Sequence, residues 1–316
     1  MLASTYFRRI IGFTVMFAIL FIPCRFLVVH AVVNHEKIPS PQENQAKDIT
    51  GGVYDGVLMK MSDLAYANLD SYQNDTLQAL DTLSAEKKGP SGIYHQVAYV
   101  NKHDWHVSYS DANRYFFSDL NNWRIIAIDD LHNKNGFYAI AFQKGNTVVV
   151  AFRGTDDAAD LVNDAGIYLD MPDWINQLKP AKNFVEQVRT SLPKGQYNVV
   201  FTGHSLGAWL SQRMYLAYHA KYTDWHVLGA TVFDSIGTHF HKQVADVADV
   251  KDYRYQGDVF SHYGSSLGQE IRIPNPMPDQ SVYDKHQMYD FYAYFYPKTR
   301  LMKSVDANSQ ETRKSM

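Results

Sequence analysis

Tyr197 to Thr202 reads YNVVFT, a short apolar run, and it meets Gly203-His204-Ser205-Leu206-Gly207 with no loop between. From Leu206 to Ala220 the inner stripe Leu206, Leu210, Met214 and Ala217 recurs at helical spacing. A strand that becomes a helix across one residue constrains this chain more than any other feature. The turn must be tight, and side chains two places before and after Ser205 would strike neighbouring backbone. Glycine at 203 and 207 removes that clash and tolerates strained dihedrals. The serine hydroxyl is then held out at the carboxyl end of a sheet, beside a helix amino terminus. The free N–H groups there favour a developing negative oxygen.

The surrounding segments alternate in period. Val57, Met61, Leu64 and Ala65 share a helical face. Arg124 to Asp129, Gly136 to Gln143 and Thr147 to Phe152 read as three strands joined by the tight turns HNKNG and KGN. Ala181 to Leu192 is helical, with Phe184, Val185, Val188 and Leu192 on one side. Trp225 to Phe233 and Val250 to Tyr255 are further strands. Strands alternating with helices predict an α/β fold with a mostly parallel sheet covered on both faces. Hydrophobic residues at 46% and charged residues at 20% supply a large core and exclude a disordered chain.

Lys and Arg number 30 against 33 Asp and Glu, a formal net charge of −3. With no basic surplus to neutralise phosphates, nucleic acid is not an expected partner. The single cysteine, Cys24, excludes an intramolecular disulfide and a cysteine-rich zinc site. No phosphate loop or H-E-x-x-H string is present, so no cofactor or metal is expected.

Arg8 and Arg9 precede the uncharged run Ile10 to Ile22, and Val29-His30-Ala31 is a small-residue cleavage site. Residues 1–33 read either as a signal peptide or as a retained membrane anchor. Both place the rest of the chain outside the cytoplasm. The polar stretch 34–50, with Pro39 and Pro41, reads as a linker, 51–296 as the folded domain, and 297–316 as a polar tail.

Thr147 to Phe152 runs into Arg153-Gly154-Thr155-Asp156-Asp157. Ala151-Phe152-Arg153-Gly154-Thr155, followed some fifty residues on by Gly203-His204-Ser205-Leu206-Gly207, resembles the class 3 (fungal-type) lipases, and most of all their bacterial Mbeg1-like members. The resemblance implies an α/β-hydrolase fold and hydrolysis of carboxylic esters, often those of acylglycerols or phospholipids. It gives Thr155 and the Leu206 N–H to an oxyanion hole, and a short helical lid to the segment after Thr155. A lipid or other ester is the implied substrate, with a membrane surface as a further partner.

A serine hydroxyl needs a histidine to take its proton and a carboxylate to orient that histidine. In this fold the chain order is serine, acid, histidine. Asp258, in Tyr255-Gln256-Gly257-Asp258-Val259, matches the family's acid after a strand; Asp234, in Val232-Phe233-Asp234-Ser235, is the rival. His286 precedes the aromatic stretch Met288-Tyr289-Asp290-Phe291-Tyr292, as the family's histidine does. His262 lies four residues from Asp258 and reads as structural. His204 reads as a support of the elbow, and His239 and His241 stand before Asp258, in the wrong order. Asp234-Ser235-Ile236-Gly237 replaces the glycine-serine-proline turn of many relatives, and the fungal disulfides are absent. Two other functions fit the same residues: an acyltransferase, or an exported binding module on a vestigial hydrolase.

Overall fold

The computed structural model describes residues 48–67, 69–78, 117, 119–154, 176–236, 238–239, 247–262, 264–274, 284–288 and 290–296. The fold begins with β1 (Ile49–Thr50) and β2 (Val53–Tyr54), an antiparallel pair. Gly51 and Gly52 turn it at φ 57° and 83°, the left-handed region that glycine enters freely. Then follow α1 (Asp55–Leu64), β3 (Arg124–Leu131), β4 (Phe137–Lys144), β5 (Thr147–Phe152), α2 (Leu178–Ser191), β6 (Tyr197–His204), α3 (Leu206–Tyr218) and β7 (Trp225–Phe233). β8 (Thr238–His239), β9 (Val250–Tyr255), β10 (Gly264–Ser265), β11 (Gln269–Ile273) and α4 (Asp290–Phe295) complete it.

Seven strands form one sheet in the order β11-β9-β7-β6-β5-β4-β3. β11, β9, β7, β6 and β5 are mutually parallel, and β4 and β3 join antiparallel. This is the α/β-hydrolase arrangement: a mostly parallel sheet with helices on both faces. Because both faces are covered, β5 reads as an unbroken apolar run rather than an alternating one. Val148, Val150 and Phe152 pack into the layer of α2 and α3, while Val149 and Ala151 pack into the layer of α1 and α4. Each fully buried Val or Phe contributes about 1.5–3 kcal/mol.

The helices differ in depth. α2 buries only Ala181, Phe184, Val185 and Val188, the single stripe of a surface helix. α1 is buried along its whole length, charges included. Those charges have partners: Lys60 Nζ donates to Asp119 at 2.8 Å, and the Tyr292 hydroxyl donates to Asp63 at 2.6 Å.

Three details depart from the sequence reading. Ile49 and Thr50, assigned to the linker, form β1, so the ordered fold starts earlier. Part of the HNKNG turn, His132–Asn135, coils into one helical turn. β11 was not foreseen, because QEIRI lies at the sheet edge with only Ile273 buried and has no apolar pattern to read. The anchor or signal segment, residues 34–47 of the linker, the tail and the lid segment lie outside the described residues. Among the described residues, no helix is long and apolar enough to cross a membrane.

Candidate active site

β6 ends on His204 and α3 begins on Leu206, so Ser205 alone makes the turn. Its backbone sits at φ 58°, ψ −122°, where a residue bearing a Cβ costs about 1–3 kcal/mol. The surroundings hold it there. Its N–H donates to the Phe233 carbonyl at 3.1 Å, and its carbonyl accepts from the Ala208 N–H at 3.1 Å and the Trp209 N–H at 3.3 Å. A Cβ at Gly203 would fall on the Gly207 carbonyl, and one at Gly207 on the Phe152 carbonyl. Both glycines are therefore required by the closeness of the crossing strand and helix.

The Ser205 hydroxyl lies 2.8 Å from His286 Nε2, and His286 Nδ1 lies 2.8 Å from Asp258 Oδ2. His286 closes a short 3-10 turn, Asp284–His286, just before α4. Asp258 follows β9 and is fully buried; it accepts from the Phe260 N–H at 3.0 Å and the Ser261 N–H at 3.1 Å. Burial alone would raise its pKa. The His286 hydrogen bond, the charge on that ring and the Ser261 and Phe260 contacts outweigh burial and hold Asp258 below the ordinary carboxylate range. Phe260 packs on the His286 ring at 5.1 Å between centroids. His262 is exposed and bonds the Asp258 carbonyl instead.

His204 supports this line from beneath. Its Nε2 lies 2.8 Å from the main-chain oxygen of His286, and its Nδ1 lies 2.8 Å from the Tyr66 hydroxyl. A carbonyl can only accept, so Nε2 carries the proton and Nδ1 accepts from Tyr66. The Tyr66 oxygen in turn accepts from the Gly154 N–H at 3.1 Å. Burial, then the neighbouring His286, pushes His204 down to about 3, so it stays neutral at ordinary pH. Tyr66 went unread in the sequence. Its only signal was a polar-tipped aromatic next to the apolar stripe of α1.

Leu206 opens α3, so its N–H belongs to the orphan first turn of that helix. Thr155 lies outside the described residues. Asp234 ends β7 beside the elbow and does not reach His286 Nδ1, which is taken by Asp258. Its Oδ1 accepts from the Tyr255 N–H at 2.7 Å. Ligand atoms of His204, Asp234 and His286 lie within 4.8 Å of one another, which is a metal-like grouping. All four ring nitrogens of the two histidines are already hydrogen-bonded, so a metal ion there would have to break the line just described.

A family model for a phospholipase-like protein, the Tle-like phospholipase domain, matches residues 93–276, more than half of the 316-residue chain. The chain belongs to the Tle-like phospholipases. As one of them it is a lipid-ester hydrolase, and its substrates are lipid or other esters. The match takes in Ser205 and Asp258, and His286 lies past its end. No curated protein matches this chain in sequence. Among solved structures it is similar to a mutant form of MDLA from Penicillium cyclopium, at 14% identity and TM-score 0.44, covering 83% of this chain and 91% of that one. Lipase II from Rhizopus niveus gives 15% identity and TM-score 0.38, covering 66% and 95%. M37 lipase gives 13% and 0.41, covering 66% and 69%.

Proposed function

We propose that the protein is a serine hydrolase of lipid esters, of the lipase or phospholipase type, working through an acyl-enzyme. The observation that carries this reading is the hydrogen-bonded line from a strained, elbow-held Ser205 through His286 to a buried Asp258, at 2.8 Å and 2.8 Å. Ser205 Oγ attacks the ester carbonyl while His286 Nε2 takes its proton. Asp258 holds the Nδ1–H and stabilises the imidazolium that forms. The oxyanion is met by the Leu206 N–H and by Thr155, and the first helical turn of α3 adds its dipole. Collapse of the tetrahedral intermediate expels the alcohol, protonated by His286. Water, deprotonated by the same ring, then releases the carboxylic acid.

His204 and Tyr66 keep the His286 main chain at the right height over the serine. The protein works outside the cytoplasm against a membrane surface; Arg8-Arg9 ahead of Ile10–Ile22 supports this, and protease accessibility on intact cells tests it. The chemistry is tested by assaying wild type and Ser205→Ala on a short p-nitrophenyl ester and on phospholipid and triacylglycerol emulsions. Loss of all three hydrolyses in a folded variant is expected. Retention of more than a tenth of the rate overturns the nucleophile assignment.

A further inference from the structure

We propose that Asp234 is a second acid of the site, placed to orient His286 in place of Asp258. The inference rests on the Ser205–His286–Asp258 reading above. β6 and β7 are paired so that His204 lies opposite Phe233, which sets Asp234 level with Ser205 on the next strand. Asp234 is fully buried, and its backbone sits at φ 43°, a second non-glycine residue in the left-handed region within this small volume. One carboxyl oxygen is fixed by the Tyr255 N–H at 2.7 Å. The other, Oδ2, meets no donor at full hydrogen-bond geometry among the described residues, and the Ser261 hydroxyl is the polar group that faces this carboxyl. A carboxyl oxygen of Asp234 lies within 4.8 Å of a ring nitrogen of His286 and of one of His204. At that separation the Asp234 carboxyl is the nearby acid that can turn toward the His286 ring once Asp258 no longer holds Nδ1.

The surrounding charges explain why Asp234 stands in reserve while Asp258 is present. The titratable groups facing it are Asp258, Asp252, Arg254, His204 and His286. Arg254 is committed to Asp252 at 2.8 Å. Burial first, then the Asp258 charge, holds the Asp234 carboxyl well above the ordinary range, against the opposing pull of the Tyr255 N–H and the Ser261 hydroxyl. Asp258 is held below it. The like charges oppose one another, and Asp258 carries the negative charge more readily than Asp234 does. Removing Asp258 removes the like charge, lets Asp234 ionise more readily and offers its Oδ2 to the His286 Nδ1–H.

The test compares kcat on a soluble ester for wild type, Ser205→Ala, Asp234→Asn, Asp258→Ala and the double variant Asp258→Ala/Asp234→Asn, with thermal melting to confirm folding. Asp234→Asn should lose far less than Asp258→Ala, because Asp258 still holds His286 Nδ1. Asp258→Ala should fall about 30- to 100-fold, and the double variant about 10⁴-fold, the loss typical of a triad without its acid. If Asp258→Ala is already as slow as the double variant, the proposal is overturned. A folded Asp234→Asn that loses as much as Asp258→Ala overturns it too. Should the double variant fail to fold, the pH profile of Asp258→Ala decides. Its acid limb should move to higher pH than that of wild type, since a buried carboxyl must now lose its proton; a limb that coincides with wild type refutes the idea. Ser205→Ala reports separately on the underlying reading: near-wild-type rate in that variant would end both.

Discussion

Two buried clusters of charge lie under this sheet, and they are built on opposite rules. At the start of α1, Asp55 is fully buried and accepts from Lys251 Nζ at 2.8 Å, the Tyr253 hydroxyl at 2.8 Å and the Thr231 hydroxyl at 3.0 Å. Lys251 also reaches the Ile49 carbonyl at 3.0 Å, so the cluster ties β1, α1, β7 and β9 together. The carboxylate there has its own cation, and none of its members is at positive φ. At the carboxyl ends of β6, β7 and β9 two carboxyls, Asp234 and Asp258, lie beside two histidines. Ser205 and Asp234 are both at positive φ, and the two carboxyls lie close enough that the Asp258 charge raises the Asp234 pKa. The first cluster satisfies its charges; the second holds strained backbone and perturbed acids, the pattern that gathers at functional sites.

Mutations should separate the two clusters cleanly. The largest effect belongs to Ser205→Ala, which should lower kcat at least about 10³-fold. It keeps the same strained backbone and a Cβ, so melting should leave its stability within about 0.5 kcal/mol of wild type. Lys251→Met should do the reverse. Leaving Asp55 buried without its cation should cost about 3–5 kcal/mol in chemical denaturation, with kcat per folded molecule within about threefold of wild type. A Lys251 variant with full stability and lost activity would erase the distinction.

Acid sensitivity should trace to His204. Folded, it resists protonation down to about 3, whereas an unfolded histidine takes its proton near 6.5. Between those values the unfolded chain binds more protons, so stability rises with pH. The His204 contribution is complete above the unfolded value and is lost as pH falls toward 3, at up to about 1.4 kcal/mol per unit. Denaturation midpoints of wild type and His204→Asn, measured from pH 7 downward, should differ by that slope. Tyr66→Phe gives the smallest effect: about 1 kcal/mol of stability and about tenfold in kcat with KM unchanged, since it removes the donor to His204 and the acceptor for Gly154. A rise in KM alone would move Tyr66 from positioning His286 to binding substrate.

The elbow was legible because its demands are local. Two glycines are needed where backbones nearly touch, and a serine is needed between strand and helix. The parallel core was legible for a related reason, since strands covered on both faces, such as Thr147–Phe152, are continuous apolar runs. β11 was not, because an edge strand with four of its five residues outside the core carries no such pattern. Asp258 and Asp234 each follow a strand, and the sequence favoured Asp258 only through its likeness to the family's acid. What separates them is which carboxyl meets His286 Nδ1, a distance set by the fold alone. The same holds for Tyr66, whose link to Gly154 and His204 spans 88 and 138 positions of chain.

The central claim is that Ser205 is a nucleophile activated by His286, and active-serine labelling addresses it most directly. Wild-type protein treated with a fluorophosphonate should gain one covalent adduct, mapped by peptide mass spectrometry to Ser205. His286→Ala should label far more slowly, and Ser205→Ala not at all. An adduct on another residue, or undiminished labelling of Ser205→Ala, would contradict the account.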